Sequence, residues 1–172
     1  IVGESGCGKS TLGKAIVRLT NPTAGSIHIN GRDITHMSQR AIRPLRKQFQ
    51  MMFQDPAESL NPRMSVGEII AEPLLIQKVG TPIWRRERAI ELLERVGMAA
   101  SAVDKFSFEF SGGQRQRIGV ARAIALQPEL LVLDEPVSAL DVSVQSQVLN
   151  LLMELQDEMG IAYMFIAHDL AV

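Results

Sequence analysis

A chain of 172 residues with 46% hydrophobic and 22% charged residues lies in the ordinary globular range, which excludes a disordered segment and leaves room for one core, or one core and a small lobe. The formal net charge of -1 excludes a dedicated polyanion binder, which would gather an excess of Lys and Arg on one face, so nucleic acid is not an expected partner. The single cysteine, Cys7, rules out an internal disulfide and fits a reducing, cytosolic setting.

In chain order, "IVGESGCGKST" opens with glycines at 3, 6 and 8, and from Lys9 a helical pattern places Leu12, Ile16 and Leu19 on one face until "TNPTAG" ends it. "SIHINGRDI" alternates apolar and polar residues about Asn30-Gly31, whose tolerance of positive φ suits a tight turn, and predicts two short antiparallel strands. "KQFQMMFQ" reads as a buried strand ending at Gln54. From residue 55 to about 127 the texture changes. "DPAESLNPRMSV" is loop-like, "VGEIIAEPLLIQ" and "RRERAIELLERVG" are helical, and Ala89, Leu92, Leu93 and Val96 form one apolar stripe. Residues 55–127 therefore read as a helical lobe inserted into an α/β body made of 1–54 and 128–172.

"FSGGQRQRIGVARAIAL" carries a second glycine-marked helix start, and "ELLVLDE" is the continuous apolar run of a parallel strand covered on both faces. Val144, Val148, Leu151, Leu152, Leu155 and Met159 define one face of a long helix with Gly160 as its C-cap. "IAYMFIAH" is another buried strand, so the strand, helix and strand make a βαβ unit with parallel strands. The basic groups Arg40, Arg43, Arg46 and Lys47, and Arg85, Arg86 and Arg88, read as solvated surface. The longest apolar run, residues 161–167, is far short of the roughly 20 residues of a membrane-spanning helix, so membrane association is expected through a partner.

Three stretches carry chemistry. "GESGCGKS" at 3–10 fits G-x-x-x-x-G-K-[ST], in which glycines let backbone N–H groups curl around a β-phosphate, Lys9 reaches the β and γ oxygens, and the Ser10 hydroxyl ligates Mg2+. "LLVLDEP" at 130–136 ends a buried strand in two carboxylates. A phosphate-bound Mg2+ needs an acidic partner and an attacking water needs a base, so Asp134 is assigned to the metal and Glu135 to the water. Ser111 and Gln114 form an S-x-x-Q capping box, and Gly112 and Gly113 leave the helix entrance bare for an anion. Cys7 reads as a small packed side chain of the first loop, with a thiol exposed to reagents near the helix start as the alternative.

The phosphate loop at 3–11, Gln54 ending a strand, "SGGQ" at 111–114, "LLVLDEP" at 130–136, "SALD" at 138–141 and His168 after a strand stand in the order of an ABC-type ATPase cassette, which the chain resembles over nearly its whole length. The resemblance implies an α/β P-loop NTPase with a RecA-like parallel sheet core and an inserted helical subdomain. It implies that Gly3, Ser5, Gly6, Cys7, Gly8, Lys9, Ser10 and Thr11 contact ATP, and that Gln54 joins the helical lobe to a Mg2+ held also by Ser10 and Asp134. Ser111, Gly112, Gly113 and Gln114 look like the signature that caps ATP on a second subunit, Asp141 like a contact across that dimer, and His168 like the switch on the γ-phosphate. The implied catalytic set is Glu135, His168 and Gln54.

More narrowly, "FQDPAESLNPRMSV" and "FSGGQRQRIGVARAI" resemble the ATP-binding subunit of bacterial dipeptide and oligopeptide importers, although Phe108 stands where that branch commonly has His. The expected function is ATP hydrolysis powering import of peptides or related small solutes. Expected partners are a second ATPase subunit, transmembrane permease subunits and, indirectly, a solute-binding protein, at the cytoplasmic face of a bacterial inner membrane. Coupling to soluble machinery such as translation or DNA repair stays open. A noncatalytic nucleotide-binding module would be expected to lack Glu135 or Ser111. In this family a strand and an adenine-stacking aromatic precede the loop, whereas here only Ile1 and Val2 do, and the sequence stops at Val172, just beyond His168. An internal fragment of a longer cassette, truncated at both ends, is therefore expected.

Overall fold

The computed structural model describes residues 1–54 and 59–168. In chain order it holds helix α1 (Lys9–Ile16), strands β1 (His28–Ile29) and β2 (Arg32–Asp33), a short helix α2 (Gln39–Ile42) running into a 3-10 turn (Arg43–Lys47), and strand β3 (Phe49–Met52). Then come α3 (Val66–Ile76), α4 (Pro82–Arg95), α5 (Gly112–Ile124), β4 (Leu130–Asp134), α6 (Val142–Met159) and β5 (Ala162–Ile166). Residues 55–58, part of the expected loop, and 169–172 lie outside the described residues.

Strands β3, β4 and β5 pair in that order as a parallel sheet, with Met52 opposite Leu133 and Asp134 opposite Ile166. Side-chain alternation sorts two cores. Met52, Leu131, Leu133, Tyr163 and Phe165 face a cluster filled from α3 to α6, while Phe49, Val132, Met164 and Ile166 face one that holds Val17, Ile34 and Ile42. Leu131, Val132 and Leu133 are fully buried, each contributing about 1.5–3 kcal/mol, so both faces of β4 need the apolar run that the sequence supplies. The apolar interior of the helical segment is continuous with one face of the sheet.

Local signals build the remaining elements. Asn30 at φ 51° and Gly31 at φ 74° make the two-residue left-handed turn that joins β1 to β2. Ser65 and Glu68 close a capping box at the start of α3, the Thr81 side chain caps α4 ahead of Pro82, and Gly160 at φ 65° ends α6. The stripe of Ala89, Leu92, Leu93 and Val96 is completely buried.

Three expectations about the elements and the basic residues are corrected. Leu12 and Leu19 are each 48% exposed, and α1 instead buries Lys9 and Gly13, with Val17 following. The reason lies at Gly13, where an added Cβ would stand 2.9 Å from Ile166 Cδ1 and 3.2 Å from Val132 Cγ1: the helix touches the sheet through a missing side chain. Strand β3 ends at Met52 rather than Gln54, because its ladder with β4 stops at the Met52–Leu133 pair. Nor are all the basic residues solvated. Arg88 is buried and paired with Glu91 at 2.6 Å, and Arg46 donates to the carbonyls of Val17 and Arg18 and to Gln39 Oε1. Burial, with the neighbouring Arg18 charge, lowers the Arg46 pKa from its ordinary value.

Among the described residues no helix is long and apolar enough to cross a membrane. The packing of α1 yields a test. Gly13→Leu gains about 1 kcal/mol of helix propensity but overpacks the sheet by about 1–3 kcal/mol or more, so the urea midpoint should fall. Leu12→Ala on the exposed flank should change stability by no more than about 0.5 kcal/mol.

Candidate active site

The site is built on one edge of the parallel sheet. Because Met52 pairs with Leu133, and Asp134 with Ile166, the segments that follow β3, β4 and β5 leave the sheet side by side, carrying Gln54, Glu135 and His168. Ligands of open α/β sheets bind at this carboxyl edge. Val2 forms a parallel bridge with Ala167, whose N–H donates to the Ile1 carbonyl at 3.0 Å, so the glycine loop springs from beside β5 at the same edge.

Within that loop Gly6 at φ 81° and Gly8 at φ 97° are left-handed, and a Cβ at either would meet nothing within 4 Å. The demand for glycine there is conformational rather than steric. Gly8 stands at the N-cap of α1 with no side-chain cap, which leaves the first N–H groups of the helix, and the positive end of its dipole, directed to the loop. Lys9 is buried, and its ammonium donates to the carbonyls of Gly3 at 2.6 Å and Glu4 at 2.9 Å. Ser5, Cys7 and Thr11 are exposed. Cys7 is thus not the packed side chain expected, since the loop holds it on the rim, where its Sγ lies 2.9 Å from the point a Cβ on Gly3 would occupy.

Ser10 Oγ donates to Asp134 Oδ1 at 2.9 Å. This bond closes the gap between the loop helix and the end of β4. Asp134 is only 4% exposed, and a carboxylate so placed requires a donor or a cation. One hydroxyl and one carboxylate side by side are a hard-oxygen pair suited to Mg2+. Among the described residues no group of three or more His, Cys, Asp and Glu could hold a metal. The donor set therefore fits an ion that keeps waters and shares phosphate oxygens rather than one caged by protein.

Next along the chain, Glu135 is half-buried with φ 47°, a left-handed backbone that costs a β-carbon residue about 1–3 kcal/mol. Its N–H donates to the Ile166 carbonyl at 2.9 Å, and its carbonyl accepts from the Ser138 N–H at 3.3 Å and the Ser138 hydroxyl at 3.1 Å. Gln54 and His168 are exposed along the same edge.

A second group forms around the start of α5. Ser111 Oγ accepts from Gln114 N–H at 3.3 Å, and Gln114 Oε1 accepts from Ser111 N–H at 3.0 Å, completing the expected capping box. A Cβ on Gly113 would come within 2.5 Å of Val144 Cγ1, and one on Gly112 within 3.7 Å of Leu140 Cδ2, so this turn packs on the start of α6. There Asp141 caps the helix, accepting from the Ser143 hydroxyl at 2.6 Å and from Val144 N–H at 3.0 Å. The hydroxyl bond first, and the N–H bond second, hold the Asp141 carboxyl below the usual carboxylate range. Among the described residues no hydrogen bond joins residues 111–114 or Asp141 to the glycine loop. The candidates thus form two groups, one at the sheet edge and one at the α5–α6 turn.

Sequence reasoning missed Gln116. It is 1% exposed and its side-chain amide donates to the carbonyl of Pro136, joining α5 to the turn after β4. Its spacing of four from Val120 and eight from Ile124, both buried, is the signal that could have found it.

A family model described as ABC transporter matches residues 1–138. The chain belongs to the ABC transporter family. It is 54% identical over 173 residues to the oligopeptide transport ATP-binding protein AppF of Bacillus subtilis, covering 100% of this chain and 53% of that protein. To the oligopeptide transport ATP-binding protein OppF of the same organism it is 52% identical over 174 residues, covering 100% of this chain and 57% of that one. The chain spans about half the length of the curated relatives it matches. Among solved structures, a dimeric post-hydrolysis state of the ATP-binding cassette MJ0796 bound to ADP and Pi superposes with a TM-score of 0.85 at 30% identity, over 98% of this chain and 73% of that one. The α/β cassette fold of the ABC transporter family, with its P-loop, is the fold present.

The Ser10–Asp134 bond gives a stability test in the absence of nucleotide. Ser10→Ala leaves a buried carboxylate without its donor and should lower unfolding stability by about 1–3 kcal/mol, whereas Asp134→Asn keeps an acceptor and should cost less.

Proposed function

We propose that this chain binds Mg-ATP at the sheet edge and hydrolyses it to drive import of peptides or related small solutes. The observation that carries the reading is the 2.9 Å bond between Ser10 and Asp134, because it sets a loop hydroxyl and a strand-end carboxylate where one divalent cation can take both. The N–H groups of residues 6–11, with the dipole of α1, receive the β-phosphate. Lys9 turns from the Gly3 and Glu4 carbonyls to the β and γ oxygens. Ser10, Asp134 and Gln54 would hold Mg2+. The nucleotide would supply the phosphoryl group, whose transfer needs an aligned water and the charge neutralisation that a bound Mg2+ would provide. Glu135 orients that water and accepts its proton on the side-chain carboxylate, and His168 contacts the γ-phosphate from the adjoining strand end.

The second group acts on another molecule. Ser111, Gly112, Gly113 and Gln114, with Asp141, cap the nucleotide held by a second ATPase subunit. Two features support this: their separation from the glycine loop within one chain, and the likeness to a cassette described as dimeric and bound to ADP and Pi. Residues 1–54 and 128–172 form the ATP-binding body, and 55–127 the helical lobe that works on permease subunits, with a solute-binding protein as the indirect partner. The protein then sits at the cytoplasmic face of a bacterial inner membrane. Relatives named for oligopeptide transport favour this over coupling to soluble machinery. The presence of both Glu135 and Ser111 favours it over a noncatalytic module.

Two substitutions in the full chain test the assignment. Lys9→Ala should abolish measurable ATP binding. Glu135→Gln should bind ATP as the unaltered protein does while phosphate release slows by about 10²–10⁴-fold, and undiminished hydrolysis would remove Glu135 from this role.

A further inference from the structure

Glu135 is held by more than the sheet. Pro136 has no N–H, so its carbonyl is its one backbone hydrogen-bonding group. Across the two residues, Glu135 N–H is held by Ile166 on β5, Glu135 C=O by Ser138, and Pro136 C=O by the side-chain amide of Gln116. The first two partners lie in the same strand-end region, whereas the third comes from α5, the helix that begins at Ser111. A glutamate at φ 47° persists only when its surroundings over-determine it.

The geometry points to Gln116 as the positioning residue that holds the Glu135–Pro136 turn in its left-handed conformation and ties it to the helix headed by residues 111–114. Gln116 acts through Glu135 and contacts no reacting atom. Its position on α5 aligns with buried Val120 and Ile124, where an apolar side chain would satisfy packing alone, so the amide is there for its bond to Pro136. Ser111 and Gln116 ride on one helix, with Gly113 seated against Val144. The bond from Gln116 to Pro136 thus links the helix capped by Ser111 directly to the peptide after Glu135.

The inference rests on the reading of Glu135 as the residue that takes a proton from water, and its test separates the two. In the full chain, Gln116→Leu and Gln116→Met keep volume and remove the donor. Without nucleotide, Glu135 and Ser138 amides should exchange with solvent about tenfold faster or more, while the Val132 amide in mid-strand is unchanged. With ATP, kcat should fall about tenfold or more while KM stays within about twofold, a split that a general loss of folded protein does not give. Unchanged exchange at both amides, unchanged kcat, or a kcat that tracks the folded fraction overturns the proposal. Should neither variant fold, the unaltered chain decides: the Gln116 side-chain protons should be protected and show through-bond coupling to the Pro136 carbonyl carbon, and fast exchange with no coupling overturns it. If Glu135→Gln hydrolyses ATP as fast as the unaltered protein, the catalytic reading of Glu135 fails, and amide exchange still reports whether Gln116 holds the turn.

Discussion

The hydrogen bond from Ser10 to Asp134 joins residues 124 apart in sequence, and much of the architecture keeps its two ends opposite each other. One end requires α1 to lie close on the sheet, which Gly13 permits by presenting no side chain to Ile166 and Val132. The other requires β4 to deliver a carboxylate to the edge of a dry interior, which the buried Leu131, Val132 and Leu133 achieve by anchoring the strand on both faces. An isolated buried carboxylate would be a liability worth several kcal/mol, so the Ser10 hydroxyl is a condition for the strand to end there in a carboxylate.

Elements whose signals are local were legible in the sequence. The glycines at 6 and 8, the Asn30-Gly31 turn, the capping box at Ser111 and the apolar run into Asp134 each depend on a few neighbouring residues, and each takes its expected form. What escaped depends on partners distant in the chain. Apolar spacing selects Leu12 and Leu19 because it weighs side chains that are present, whereas the contact is made where one is missing. The end of β3 is set by where β4 stops pairing, Arg46 is half-buried where the Val17 and Arg18 carbonyls accept from it, and Arg88 is buried beside Glu91, which stays exposed. Gln116 escaped because a lone Gln on a helix reads as surface until its neighbours at four and eight residues are counted.

For the site, the sheet explains how three of the residues expected there come to leave one edge. Gln54, Glu135 and His168 come from three segments with nothing shared in sequence except that each follows a parallel strand. The α5 turn poses a different problem, since the side chains expected to meet a nucleotide are already engaged. Ser111 Oγ accepts from Gln114 N–H, Gln114 turns back to Ser111, and Asp141 caps α6. Capping and anion binding are compatible, because a serine oxygen that accepts one bond keeps its own proton to donate. The cap then fixes the hydroxyl, and the bare N–H groups of Gly112 and Gly113 supply the rest of the positive end.

Glu135 shows how stability and chemistry are weighed against each other at one residue. Glycine would take φ 47° without strain and relieve about 1–3 kcal/mol, and the turn to Pro136 would lose nothing in its backbone bonds. A glutamate in its place is a local rule broken at a point where the surroundings can afford to enforce it: Ile166 grips its N–H, Ser138 its carbonyl, and Gln116 the peptide that follows. Left-handed backbone turns the chain sharply off the end of β4, which sets the carboxylate of Glu135 apart from that of Asp134 although the two are neighbours in sequence. Two adjacent acids in an extended strand would point to opposite faces of the sheet, one of them into a core. The strained turn removes that outcome, leaving Asp134 buried against Ser10 and Glu135 half-buried at the edge, where one acid can serve a cation and the other a water.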